Sequence, residues 1–261
     1  MIPLPTSPLV HPIFDLAAWG CGAGTGYALY RWRLKGAAEA LAVKSGPGYF
    51  LGLAAGAVLG AWLAGSLNTL RGPAPTLSHS IAGAMAGAIV GVELYKAIRR
   101  IKGSTGGVFV GSLSVGIIVG RFGCLFSGLE DRTYGVATTL PWAVDLGDGI
   151  GRHPVQIYES GAMAVFLVVY LTALARRADW AMKRGFYVAV ACYGAQRFCW
   201  EFLKPYPKLL GPFNLFHLIS LGLVVYGCVW FVRDHRRESA SPESHSQSRA
   251  LSVSGTDHLP V

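Results

Sequence analysis

A run of eight residues combines a base, an amide, a phenol and a carboxylate where an apolar segment begins. The run reads Arg152-His153-Pro154-Val155-Gln156-Ile157-Tyr158-Glu159. Ionisable groups at a membrane boundary are costly and indicate a functional site by default. A proline suits the first helical turn, and a helix starting there places Gln156 and Glu159 on one face, away from Tyr158. The run therefore predicts a site that holds a polar group at a membrane boundary.

A second motif combines glycines with one arginine at the end of another apolar segment. Its residues are Gly120, Arg121, Gly123, Cys124, Ser127 and Gly128. Glycines permit close backbone approach, and the forked guanidinium of Arg121 suits a phosphate. A glycine packing face beside a snorkelling arginine explains the same pattern, so this motif alone leaves both interpretations open.

Two smaller constellations carry further polar groups. Tyr193, Arg197, Glu201 and Lys204 are spaced to lie along one helix stripe. Arg197 and Glu201 can form a structural ion pair, but a buried pair costs desolvation, so an anion site at Arg197 is the alternative. His79 lies at the outer end of a third apolar segment, and histidine titrates in the range useful for a base.

The composition places these residues in a membrane protein. The chain has 261 residues, of which 52% are hydrophobic and 14% charged, with mean hydropathy +0.42; soluble domains carry about 25% charged residues. Seven apolar segments approach the length that spans a bilayer. They are residues 13–30, 48–67, 77–95, 106–120, 154–175, 185–203 and 213–232. We expect an all-α integral membrane fold with seven transmembrane helices.

The basic residues predict the orientation. Alternate loops and the tail hold sixteen of the 23 Lys and Arg residues, against six in the other loops and Arg197 within a segment. The positive-inside rule therefore predicts an outer N-terminus and a cytoplasmic C-terminus. The net charge of +9 follows topology, so we expect no nucleic-acid partner. We expect no cleavable signal peptide, because Met1–Pro12 lacks a basic region.

This topology divides the chain into a membrane domain and a tail. We expect residues 1–238 to form the polytopic domain and residues 239–261, which are rich in serine, to be a disordered cytoplasmic tail. The long connection 121–152 would be extracytoplasmic, and all four constellations would meet at the outer side. Two arginines, two histidines and carboxylates there suit an anionic lipid headgroup. The five cysteines are dispersed without metal spacing, so we expect neither a metal nor a cofactor.

Together these motifs resemble the prolipoprotein diacylglyceryl transferase family. The resemblance rests on Gly120-Arg121-x-Gly123, Pro141-Trp142-Ala143, the run from Arg152 to Glu159, and Arg197-Phe198 with Glu201-Phe202. It covers about residues 77–205. It implies a multi-pass enzyme of the bacterial cytoplasmic membrane that acts in lipoprotein biosynthesis. Such an enzyme transfers the diacylglyceryl group of phosphatidylglycerol to the lipobox cysteine of a preprolipoprotein and releases glycerol phosphate.

The resemblance also implies roles for individual residues. Arg121 and Arg197 would bind the phosphate, and His79 or His153 would assist deprotonation of the acceptor thiol. Glu159 and Glu201 would orient the arginines, and Tyr193 would add a hydrogen bond. The expected substrate-binding set is Gly120, Gly123, Cys124, Ser127, Gly128, Gln156, Tyr158, Glu159, Tyr193 and Glu201.

The chain departs from the family pattern near the expected substrate site. Ser80-Ile81 stands where the family has two glycines after the histidine, and Cys124 stands at an asparagine position. Ser127 replaces another polar amide, and Lys204-Pro205-Tyr206-Pro207 replaces a proline–aspartate pair. Two alternatives therefore stay open: a family variant with a different acceptor, and a non-enzymatic protein that binds or transports membrane lipids.

Overall fold

The computed structural model describes residues 1–70 and 77–240, and these residues are mostly helical. They form nine α-helices, α1 to α9 in chain order. The helices are Val10–Leu29, Lys35–Lys44, Pro47–Thr69, Ile81–Arg99, Val110–Phe126, Val155–Ala175, Asp179–Lys183, Gly185–Trp200 and Leu215–Ser239. The predicted disordered tail, 239–261, lies outside the described residues from residue 241 onward, and α9 includes its first residue.

Each of the seven apolar segments coincides with a helix. Five helices of the described part are long and apolar enough to cross a membrane: α3, α4, α5 with its preceding 3₁₀ turn, α6 and α9. This finding supports a multi-pass membrane protein. Helices α1 and α8 are not among the five, so the seven crossings and the outer N-terminus remain predictions.

Two predicted boundaries were wrong. Helix α5 does not end at residue 120 but continues to Phe126, where the ring of Phe126 stacks on Phe14 of α1 with centroids 5.7 Å apart. Helix α4 begins at Ile81 and not at residue 77, because the Ser80 side chain caps it by accepting from the Gly83 N–H at 3.3 Å. His79 therefore lies before the helix.

The connection between α5 and α6 starts at residue 127, and it is not purely irregular. It contains a 3₁₀ turn at Gly128–Asp131 and two short strands, β2 (Val144–Asp145) and β3 (Gly151–Arg152). A third strand at the N-terminus, β1 (Ile2–Pro3), pairs in parallel with β2, which pairs antiparallel with β3. The fold is therefore not all-α, since this small sheet ties the N-terminus to the connection.

An ion pair closes the turn between β2 and β3. The two terminal nitrogens of Arg152 each donate to one carboxylate oxygen of Asp148 at 2.6 Å. The Arg152 guanidinium holds the pKa of Asp148 below its usual value. Arg152 also lies over the Tyr134 ring, 5.1 Å from its centroid. Arg152 thus stabilises the connection rather than the predicted anion site.

Small residues let α3 and α4 pack closely. Three glycines of α3 face three of α4, and these are Gly52, Gly56, Gly60, Gly83, Gly87 and Gly91. A methyl group added to Gly87 would lie 2.9 Å from the Gly60 Cα atom, closer than side-chain carbons approach backbone. These glycines therefore serve helix packing, and the α3–α4 pair supports one wall of the cavity described below.

We predict that Gly87→Ala destabilises the protein by about 1–3 kcal/mol, because the added methyl overpacks the α3–α4 contact. Gly222→Ala is the matched control, since nothing lies within 4 Å of its added methyl and alanine is the better helix former. Thermal unfolding in detergent measures both variants. A Gly87→Ala protein that melts at or above the wild-type temperature would show that this contact is not close.

Candidate functional site

A cavity of about 1040 Å³ is lined mainly by residues of α1, α3, α4 and α5, with further residues from α8 and α9. One end is polar and is lined by His79, Arg121 and Arg197. Its middle is apolar, with walls formed by Met85, Ile89, Leu113, Ile117 and Phe216. It follows α4 from Ile81 to Lys96, which is about 22 Å along the helix axis. This shape suits a ligand with a polar head and long apolar chains.

The carboxylate of Glu159 forms ion pairs with three cationic side chains at the polar end of the cavity. Arg121 on α5 approaches it through Nε at 2.5 Å. Arg197 on α8 donates Nη1 to both of its oxygens at 2.9 Å, and Lys204 donates Nζ at 2.5 Å. Glu159 lies in the second turn of α6, with Pro154 as its N-cap. One carboxylate therefore connects three segments of the chain.

A second carboxylate, that of Glu201, completes a charged cluster with Glu159, Arg121, Arg197 and Lys204. An oxygen of Glu201 lies 2.7 Å from Arg197 Nη2, an ion pair that confirms the predicted i, i+4 pair, and 3.3 Å from Lys204 Nζ. Asn214 donates to Glu201 at 3.0 Å and also caps α9, where its side chain accepts from the His217 N–H. The start of α9 is thus fixed to the cluster.

The cluster is buried and carries one excess positive charge. Counted formally, Arg121, Arg197 and Lys204 carry three positive charges against two negative charges on Glu159 and Glu201, and all five side chains are at most 7% exposed. An uncompensated buried charge costs several kcal/mol. A bound monoanion would neutralise it, so the charge balance favours an anionic ligand over a purely structural role.

Several donors at this end have no strong protein partner. Within the part of the chain that the structure describes, Nη1 of Arg121 donates only to the sulfur of Cys124, at 3.7 Å. Among the described residues, the Arg197 Nε and the hydroxyl of buried Tyr193 have no hydrogen-bond partner. Arg121 and Arg197 line the cavity, whereas Tyr193 lies one helical turn from Arg197 and is not among the lining residues.

The two predicted histidines lie in different surroundings. His79 lines the cavity, 6.0 Å from the Trp62 ring. His153 is not among the lining residues; its Nδ1 lies 3.5 Å from the hydroxyl of Tyr158. Tyr158 in turn accepts from Trp142 and packs on Trp200, with ring centroids 5.2 Å apart. The structure therefore separates His153 and Tyr158 from the cavity.

Other predicted site residues support the fold around the cavity. Gln156 is buried on the same face as Glu159, as predicted, and donates to Thr133 at 3.4 Å. Ser127 donates to the carbonyl of Gly123 at 2.8 Å at the end of α5. These residues hold the connection in place.

The motif glycines divide into two groups. Gly120 lines the cavity together with Cys124. Gly123 packs against α1, since an added methyl would lie 2.7 Å from the Phe14 Cβ. Gly128 has a φ of +70°, which favours glycine, and faces Thr6. The packing interpretation is therefore right for Gly123, and Gly120 borders the ligand space.

Sequence reasoning missed part of this site. The sequence predicts Lys204 on the same helix stripe as Arg197 and Glu201 but does not include it among the expected site residues. Asn214 gave only a helix-cap signal, and His11 and Asp131, which also line the cavity, had no recognisable spacing. Only the packing of α1 and α9 brings these residues to the polar end.

The chain matches one protein family and many of its members. The family model described as prolipoprotein diacylglyceryl transferase matches residues 77–233. A phosphatidylglycerol–prolipoprotein diacylglyceryl transferase of Geobacter sulfurreducens is 33% identical over 130 residues, 48% of each chain. One of Cupriavidus necator is 29% identical over 172 residues, which are 62% of this chain and 61% of the relative.

These matches cover only part of the relatives, since this chain spans about half to three-fifths of their length. The family model nevertheless includes Arg121, Glu159, Arg197 and Lys204 of the buried cluster, and it covers more than half of the chain. The resemblance found in the sequence motifs is confirmed. The chain belongs to the prolipoprotein diacylglyceryl transferase family.

Proposed function

We propose that this protein transfers the diacylglyceryl group of phosphatidylglycerol to the lipobox cysteine of a preprolipoprotein. The observation that carries the proposal is the cavity whose polar end holds Arg121 and Arg197 in a buried cluster of charge +1. Phosphatidylglycerol matches this cavity, because it joins a monoanionic phosphodiester to two acyl chains. The names of the relatives support the same donor and acceptor.

In the proposed reaction, charge moves onto the phosphate. The acceptor sulfur forms a bond to the terminal glycerol carbon of the diacylglyceryl group while the bond from that carbon to the phosphate oxygen breaks. The electron pair stays with the oxygen, so a monoanionic diester becomes a dianionic glycerol phosphate. Guanidinium donors held in a buried site bind the dianion more strongly than the diester, and this difference lowers the barrier.

The acceptor must lose its thiol proton, because the thiolate is the nucleophile. Of the two predicted bases, His79 lines the cavity and we assign it this role. Glu159 and Glu201 orient the arginines, since their oxygens already contact cations or, for one oxygen of Glu201, the amide of Asn214. Tyr193 supplies a hydroxyl donor near Arg197.

We further propose a multi-pass location in the bacterial cytoplasmic membrane with the polar end of the cavity outside. The distribution of Lys and Arg residues supports this orientation. Residues 1–238 would form the membrane domain, with the tail in the cytoplasm. A preprolipoprotein would then meet the enzyme after its export across the membrane.

We predict that Arg121→Ala lowers glycerol phosphate release from headgroup-labelled phosphatidylglycerol by about 10²–10³-fold, the usual effect of losing one donor to a developing charge. Arg176→Ala is the matched control, because Arg176 is exposed at the opposite end of α6. Purified full-length protein, phosphatidylglycerol and a lipobox peptide suffice for the assay. Wild-type release by folded Arg121→Ala protein would contradict the role of Arg121.

The same assay separates the alternatives when the peptide is analysed by mass spectrometry. Transfer predicts a diacylglyceryl mass on the peptide cysteine in proportion to the glycerol phosphate released. Release without peptide modification would indicate a different acceptor. Lipid binding without release would indicate a non-enzymatic lipid-binding protein.

The two histidines give a second prediction. His79→Ala should lower the transfer rate by about 10²–10⁴-fold, the range for loss of a general base. His153→Ala should retain the rate within a few-fold, because His153 contacts Tyr158 outside the cavity. Initial rates across pH 5–9 measure both. An inactive His153→Ala variant beside an active His79→Ala variant would reverse the assignment.

A further inference from the structure

Three potential metal ligands meet at the polar end of the cavity, outside the Glu159 cluster. They are Nε2 of His11, Sγ of Cys124 and a carboxylate oxygen of Asp131, and all three atoms lie within 4.8 Å of one another. They come from α1, α5 and the 3₁₀ turn that follows α5. From this geometry we propose that His11, Cys124 and Asp131 form a Zn²⁺-type metal site.

The two distances from His11 are close to those around a tetrahedral ion. The His11 Nε2 lies 3.1 Å from the Asp131 oxygen and 3.8 Å from the Cys124 sulfur. Typical zinc bond lengths give about 3.3 Å between nitrogen and oxygen ligands and about 3.6 Å between nitrogen and sulfur. These two distances lie within a few tenths of an ångström of the zinc values. The Cys124 sulfur lies within 4.8 Å of the Asp131 oxygen, and a shift to about 3.6 Å would complete the arrangement. A thiolate, an imidazole and a carboxylate also form a donor set that zinc prefers.

Outer contacts already orient the ligands. The other ring nitrogen of His11 lies 3.0 Å from the carboxylate of Asp15, the carboxylate–histidine arrangement common behind zinc ligands. The second oxygen of Asp131 accepts from Thr133, which in turn accepts from Gln156. Binding would replace the proton on His11 Nε2 and the thiol proton of Cys124, and both protons would pass to solvent.

The fourth position of such an ion would face the cavity, since His11, Cys124 and Asp131 all line it. An open position is typical of sites that bind water or a substrate group. A thiol is the substrate group suited to zinc, and coordination would favour loss of the thiol proton, which His79 would take up. This last step rests on the proposed function, whereas metal binding itself does not. Cys124 replaces the asparagine expected in the family, so we assign the site to this chain in particular.

Cobalt titration tests the site independently of activity. Full-length protein without a histidine tag, purified in neutral detergent, should bind about one Co²⁺ per chain and show a thiolate-to-cobalt absorption band. Cys124→Ser should abolish the band and Asp131→Asn should weaken binding at least tenfold. Asp15→Asn should weaken it by about 10–100-fold, the range for outer partners. Cys199→Ser and Asp148→Asn are the controls, because both residues lie outside the cluster.

The results decide between a metal site and an ion-paired histidine. One equivalent of Co²⁺ that Zn²⁺ displaces, with a band that only Cys124→Ser removes, supports the proposal. Absence of stoichiometric binding to folded wild-type protein overturns it and leaves His11 as a bridge between Asp15 and Asp131. A band that survives in Cys124→Ser overturns it as well. Loss of transfer activity with intact cobalt binding would instead count against the proposed function.

Discussion

The carboxylate of Glu159 is the constraint on which the rest of the site depends. It contacts Arg121 of α5, Arg197 of α8 and Lys204, so one buried anion joins three parts of the chain. Losing one partner of a buried ion pair costs about 3–5 kcal/mol, because the remaining charge stays uncompensated. Helices α5, α6 and α8 therefore keep a register in which both guanidinium groups reach the cavity, and α9 follows through Asn214 and Glu201.

The excess charge connects this constraint to function. The carboxylates neutralise two of the three cations and fix their positions, but one positive charge remains for a ligand. Beyond the cluster, apolar residues of α4 and α5 line the cavity, so an anionic head with acyl chains fits both parts. The glycine contact between α3 and α4 supports one wall of this cavity. The protein thus positions a cationic cluster at one end of a lipid-sized space.

The sequence predicted the helices and the convergence of Arg121, Glu159 and Arg197, because apolar length and charged residues in apolar segments are local signals. It misplaced the end of α5 and the start of α4, where the stacking of Phe14 on Phe126 and the Ser80 cap decide the boundary. The sequence predicted His153 in the site because His153 belongs to the same eight-residue run as Glu159. In the structure its ring lies beside the hydroxyl of Tyr158. The cluster of His11, Cys124 and Asp131 needs tertiary contacts that no spacing reveals.

Lipid binding to the wild-type protein tests the central claim most directly. Native mass spectrometry can compare phosphatidylglycerol with diacylglycerol of the same acyl chains. Charge-assisted hydrogen bonds contribute about 1.5–3 kcal/mol each, and 1.4 kcal/mol corresponds to a tenfold change in affinity. The account predicts that phosphatidylglycerol binds at least about tenfold more tightly and that Arg121→Ala reduces this preference. Equal affinity for the two lipids would contradict it.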